Sequence, residues 1–254
     1  MMNRRHGVFL LVLLLLSSLG LQAQNKAVNI IYIGDSITQG VQLDDPATQA
    51  PPALASKVLR EKMFDVNFSN QGRSGFTTVD FLPSGETFKR VELAATDLAK
   101  KPGQLIFSIM LGTNDSAITG PNGAPVSPEN YFNNLKSIID KMLNDYPESI
   151  VIINDPTWYS PNTYNGAQYL QEGLDRLQSY FPQIKKLVKY YDKVNPGKVF
   201  LGDTKAFGYF KKNGFTDLIP ENGHQGIFYL HPNTKGGEAL GGFWAKAIYK
   251  VASK

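Results

Sequence analysis

The sequence predicts an α/β fold, a three-layer α/β/α sandwich built on a mostly parallel five-stranded sheet. Three observations point there. Five short β-rich runs alternate with longer stretches whose apolar residues recur at helical spacing. Parallel neighbours in a sheet need long crossover connections, and those connections then cover its faces. Finally, a 254-residue chain that is 42% hydrophobic and has no cysteine must rely on an apolar core instead of disulfides, and at this length such a core is readily built.

Taken in chain order, residues 28–33 (Val-Asn-Ile-Ile-Tyr-Ile) form the first strand, and a helix is expected over about 48–63. Phe-Asp-Val-Asn-Phe-Ser at 64–69 is the second strand, followed by a helix at about 86–100. The third strand spans 104–111 and leads to a helix at about 128–145; the fourth spans 149–154. A long helical stretch covers about 167–194. In it Leu170, Leu174, Leu177, Tyr180 and Phe181 recur at helical spacing, as do Ile184, Leu187, Val188 and Tyr191. Pro182 is expected to kink or divide it. Residues 198–201 supply the fifth strand and about 235–252 the last helix. No internal repeat, low-complexity segment or linker intervenes, so residues 24–254 read as a single domain.

Two loops, 116–127 and 156–166, are long and rich in Gly, Pro, Asn and Ser. Both follow strands, which places them at the carboxyl edge of the sheet, where ligands bind. Trp158 and Tyr159 in the second loop have two readings: ligand contacts on a sugar or acyl group, or aromatics packed on the domain.

Residues 1–23 read as a secretory signal. Arg4 and Arg5 form a basic start, Val8 to Leu16 is an unbroken apolar run, and cleavage is expected between Ala23 and Gln24. That run is shorter than the ~20 residues a spanning helix needs, so the expected product is secreted or periplasmic with no stable membrane insertion. Without cysteine there is no lipoprotein anchor, no thiolate catalysis and no Cys-based zinc site. Once Arg4 and Arg5 leave with the signal, the 26 basic residues fall to 24 against 22 acidic ones. No basic stripe remains to suggest a nucleic-acid partner.

Four clusters hold the chemistry. Gly34-Asp35-Ser36-Ile37-Thr38 ends the first strand and places a serine at the sheet edge. Asn70-Gln71-Gly72-Arg73-Ser74-Gly75, Gly112-Thr113-Asn114-Asp115 and His231-Pro232-Asn233 follow in order. Each has a purely structural reading as well. Ser36 or Thr38 would cap a helix, Gly72 and Gly75 would make a turn, Asn114-Asp115 would cap a loop or a helix, and His231 would sit at a helix entry. Of the three histidines, His6 leaves with the signal, so any histidine base must be His231 or His224. His224 reads as an ordinary loop residue. There is no Gly-x-Ser-x-Gly elbow, no P-loop, no Gly-x-Gly-x-x-Gly and no His-Glu-x-x-His.

In content and order the four clusters resemble the blocks of the SGNH hydrolases, also called GDSL esterases, over about residues 28–250. The resemblance implies a flavodoxin-like sheet and an ester or thioester hydrolase. Ser36 would be the nucleophile, Gly75 an oxyanion donor with Gly72 as the alternative, Asn114 a second donor, and His231 the base. Asp35 and Asp115 would shape the turns by local hydrogen bonds. It calls for no metal or organic cofactor, and its partner would be a small-molecule or glycan acyl ester. An acetyl group on a carbohydrate is favoured over a lysophospholipid or thioester, because no long apolar lid segment is evident. The chain departs from the family where an aspartate three residues before the histidine usually orients it, for that position is Phe228. The first expectation is that the Phe228 carbonyl takes this role, the second that Glu221 reaches in. Failing both, the chain would be a weakly catalytic glycan-binding protein.

Overall fold

Five strands, β1 (Lys26–Gly34), β2 (Phe64–Gly72), β3 (Gln104–Met110), β4 (Ile150–Ile153) and β5 (Val199–Leu201), form one sheet in the order β2-β1-β3-β4-β5. The structure, a computed structural model, describes residues 26–254. The expected signal segment 1–23 and its cleavage point after Ala23 therefore lie outside the described residues. All four strand pairings are parallel. Both faces are covered, so the central strands are mostly apolar: Ile30, Ile31, Tyr32 and Ile33 are fully buried, as are Ile106, Phe107 and Ile109.

The helices are α1 (Ser36–Gln39), α2 (Pro46–Gln49), α3 (Pro51–Glu61), α4 (Glu86–Ala99), α5 (Pro128–Asp145), α6 (Leu170–Val194), α7 (Ala206–Asp217) and α8 (Thr234–Ala252). One expectation needs correction. The helix expected over 48–63 is two helices, because Ala50 stands before Pro51 in extended backbone (ψ 147°), as the clash with a following proline ring favours. Of the two outcomes expected at Pro182, division does not occur, since α6 runs unbroken from Leu170 to Val194. Pro182 is exposed, and so is Gln178, whose carbonyl it leaves without an α-helical donor. Leu174, Leu177, Tyr180, Ile184 and Leu187 stay buried on both sides of it.

One segment that the sequence reading left without elements is structured. Helix α7 leads into an antiparallel hairpin, β6 (Leu218–Gly223) and β7 (Gly226–Pro232), which stands apart from the main sheet. Its ladder pairs Glu221 with Phe228 and Pro220 with Tyr229, then Leu218 with Pro232. Three steps along β7 thus match two along β6, a bulge that breaks strict alternation where His231 lies.

Candidate active site

The chain runs from β1 to β2 on one side and to β3 on the other, so the sheet changes direction at β1. Crevices at such a point, beyond the strand ends, are where open α/β sheets bind ligands. The register makes the ends level, since Gly34 pairs with Gly72 on β2 and with Met110 on β3. The loops that leave these three ends carry Ser36, Gly75 and Asn114.

Asp35 caps α1, its carboxylate accepting from the Ile37 N–H at 3.0 Å, which makes Ser36 the first residue of that single turn. Burial pushes the Asp35 carboxyl above its ordinary range. Ser36 Oγ lies 2.9 Å from His231 Nε2. His231 comes from the far end of β7, immediately before Asn233 caps α8 by accepting from the Gly236 N–H at 3.0 Å. Its other ring nitrogen, Nδ1, lies 2.8 Å from Glu221 Oε1, and its main-chain N–H donates to the same oxygen at 3.3 Å. The Gln42 amide donates to Glu221 Oε2 at 2.5 Å and sits 3.3 Å from His231 Nδ1.

The first expectation for the histidine's partner is thus overturned. Phe228 is buried as the ladder partner of Glu221, and the acceptor at Nδ1 is the Glu221 carboxylate. Asp217, the other acid upstream, is bound to Lys235 and Tyr209. His224 lies at the hairpin tip, its ring against Tyr164 and its N–H donating to the Tyr164 carbonyl.

Between the two candidate glycines the hydrogen bonding decides. The Gly72 N–H is taken by Asn70 Oδ1 at 2.9 Å, and a Cβ there would lie 2.7 Å from Gln39 Cα. Gly72 therefore serves the close approach of α1 to β2. Gly75 sits third in a turn closed by Phe76 N–H to Arg73 O at 3.2 Å. Its φ of +79° is the left-handed value that this turn type demands of its third residue. Neither the Gly75 nor the Ser36 N–H donates to another described residue.

Asn114 is held at both ends. Its Nδ2 donates to the Phe76 carbonyl at 2.9 Å, and its Oδ1 accepts from the Tyr169 hydroxyl at 2.6 Å. Asp115 accepts from the Thr78 N–H at 3.0 and 3.1 Å and from its hydroxyl, tying the β2 and β3 loops together. Full burial pushes its carboxyl up to about 7. Asp80 takes the Thr77 N–H at 2.8 Å and the Asn122 amide at 2.8 Å, which fixes the 116–127 loop beside the site.

These residues line a cleft of about 690 Å³ that includes Ser36, Gly75, Asn114 and His231, with Asp80, Asn122, Asn165 and Tyr169 on its walls. Both long loops contribute to it. Trp158 and Tyr159 do not: they are buried, with Tyr159 bonded to Ser116 at 2.9 Å and Gly214 packed against the Trp158 ring. Gln42 and Tyr169 escaped the sequence reading because nothing local marks them. Glu221, the second expectation for the histidine's partner, is brought into place by the hairpin ladder that sets it opposite Phe228. Among the described residues, no group of three or more His, Asp or Glu could hold a metal ion, and no helix is long and apolar enough to cross a membrane.

The family model described as GDSL-like lipase/acylhydrolase matches residues 32–239. No curated protein sequence matches the chain. Among solved structures, a lipase/acylhydrolase from Enterococcus faecalis is 20% identical with a TM-score of 0.58, over 87% of this chain and 95% of that one. A carbohydrate acetylesterase from Sinorhizobium meliloti is 18% identical with a TM-score of 0.58, over 88% and 99%. A two-domain esterase active on acetylated mannans is 18% identical with a TM-score of 0.56, over 91% of this chain and 50% of that one. At these identities the likeness carries the fold.

Proposed function

The chain belongs to the GDSL-like lipase/acylhydrolase family, whose members hydrolyse ester bonds, and from that premise we propose that it is a serine esterase removing small acyl groups, acetyl above all, from carbohydrates. One observation carries the mechanism: a serine hydroxyl 2.9 Å from a histidine nitrogen, inside a cleft. Ser36 Oγ attacks the ester carbonyl while its proton passes to His231 Nε2. The Ser36 and Gly75 N–H groups and the Asn114 amide receive the oxyanion. The carbon–oxygen bond to the sugar then breaks, and the leaving alkoxide takes the proton from His231. Water, deprotonated by His231, attacks the acyl-serine, and the acid leaves as the proton returns to Ser36.

The carbohydrate assignment rests on the walls of the cleft, where Ser74, Asp80, Asn122 and Asn165 offer polar groups to hydroxyls. A carbohydrate acetylesterase and an esterase active on acetylated mannans among the structural neighbours agree with it. The apolar amino-terminal run with its two arginines supports an exported enzyme, acting in the periplasm or outside the cell.

The test compares p-nitrophenyl acetate, a long-chain p-nitrophenyl ester and an acetylated oligosaccharide as substrates for wild type, Ser36→Ala and His231→Ala. Turnover of the acetyl substrates should fall at least a thousandfold in both variants. Equal turnover by all three proteins would rule out the serine mechanism, and preference for the long chain would replace the carbohydrate assignment with a lipid or thioester one.

A further inference from the structure

We propose that Glu221, clamped by Gln42, is the residue that positions His231 for proton transfer, replacing the acid this fold would draw from residue 228; the role rests on the serine-esterase reading above. A base for Ser36 needs its Nε2 lone pair aimed at the hydroxyl, which requires the proton to sit on Nδ1. Glu221 Oε1 enforces this by accepting from Nδ1 at 2.8 Å and from the main-chain N–H of the same residue at 3.3 Å. Ring and backbone of His231 are thereby gripped by one oxygen. The acid is ten residues away in sequence, and only the hairpin brings it across. The bulge in β7 interrupts the alternation that would otherwise fix where the His231 side chain points.

Gln42 completes the arrangement. It sits in the turn just after the single helical turn that begins at Ser36, and it holds a left-handed φ of 69°, a strained value for a residue with a side chain. That backbone delivers its amide to Glu221 Oε2 at 2.5 Å. One face of the amide therefore satisfies the second carboxylate oxygen while the exposed side meets water. The His231 and Glu221 side chains are only 8% and 9% exposed. In such a setting a carboxylate favours the imidazolium that forms as Ser36 loses its proton. Nucleophile and acid are thus locked to each other through one short loop.

The experiment measures kcat and KM with p-nitrophenyl acetate for wild type, Ser36→Ala, Glu221→Gln, Glu221→Ala and Gln42→Ala. Glu221→Gln should lower kcat about 10²–10⁴-fold with KM little changed. Gln42→Ala should lose about three- to tenfold in kcat. Formate should restore part of the activity of Glu221→Ala, which a merely structural role would not allow. A far-downfield imidazole N–H proton resonance should be present in wild type and Ser36→Ala and absent in Glu221→Gln. Unchanged urea midpoints confirm that the variants fold. Ser36-dependent turnover that Glu221→Gln leaves intact, with the downfield resonance still present, would overturn this role alone. Turnover indifferent to Ser36→Ala would overturn the esterase reading and this role with it.

Discussion

Asn114 has one carbonyl and two amide protons to place, and its neighbours decide which end faces the cleft. The Tyr169 hydroxyl occupies the carbonyl at 2.6 Å and the Phe76 main chain takes one amide proton at 2.9 Å. The second amide proton is left for a ligand. Burial raises the Tyr169 phenol well above its ordinary range, so it stays a donor at any working pH. Tyr169→Phe should therefore lower kcat about tenfold with KM within about twofold, since an amide freed to flip would present its oxygen to an oxyanion. A raised KM at constant kcat, in steady-state kinetics on p-nitrophenyl acetate, would instead make Tyr169 a substrate contact. Tyr169 is 55 residues from Asn114, and Gln42 is 179 from Glu221. No spacing rule reaches that far, which is why the motif residues were legible and the residues that hold them were not.

At the scale of elements, the strands were readable because each is a short apolar run between polar turns, and all five lie where the sequence places them. The hairpin was not, since β6 (Leu-Ile-Pro-Glu-Asn-Gly) holds a proline and polar residues that mask its pattern. Its partner β7 runs straight into α8, and the junction depends on one residue. Asn233 accepts from the Gly236 N–H at 3.0 Å and donates to the Thr216 carbonyl at 2.9 Å. It thus caps α8 and ties it to the end of α7, two residues beyond His231. Asn233→Ala should cost about 1–2 kcal/mol in urea unfolding, as lost caps do. Asn233→Asp, which keeps the cap acceptor, should recover most of that.

For the whole molecule, two buried carboxyls shape stability against pH. Burial pushes Asp155 up to about 7, helped by the neighbouring Asp203 charge and opposed by Lys185, and one of its carboxylate oxygens has no partner among the described residues. Asp115 is likewise raised to about 7. Between the ordinary value of 3.8 and about 7 the folded state binds more protons than the unfolded chain. Their contribution to stability is complete below about pH 4 and is lost as pH rises through 7. Asp155→Asn should therefore melt at or near the wild-type temperature at pH 4 and above it at pH 8, by roughly 2–4 kcal/mol of stability. Parallel melts at both pH values, with the variant never ahead, would show that this carboxyl does not titrate as described. The same scale explains what could be known in advance. Local patterns determined the parallel sheet, the order of the four clusters and the candidates Ser36, Gly75, Asn114 and His231, because each is written in consecutive residues. Tertiary structure alone decided that Gly75 and not Gly72 has a free N–H, that Trp158 is buried, and that Glu221 faces His231. Those outcomes depend on register and on a hairpin bulge, which set distances between residues that the chain itself keeps far apart.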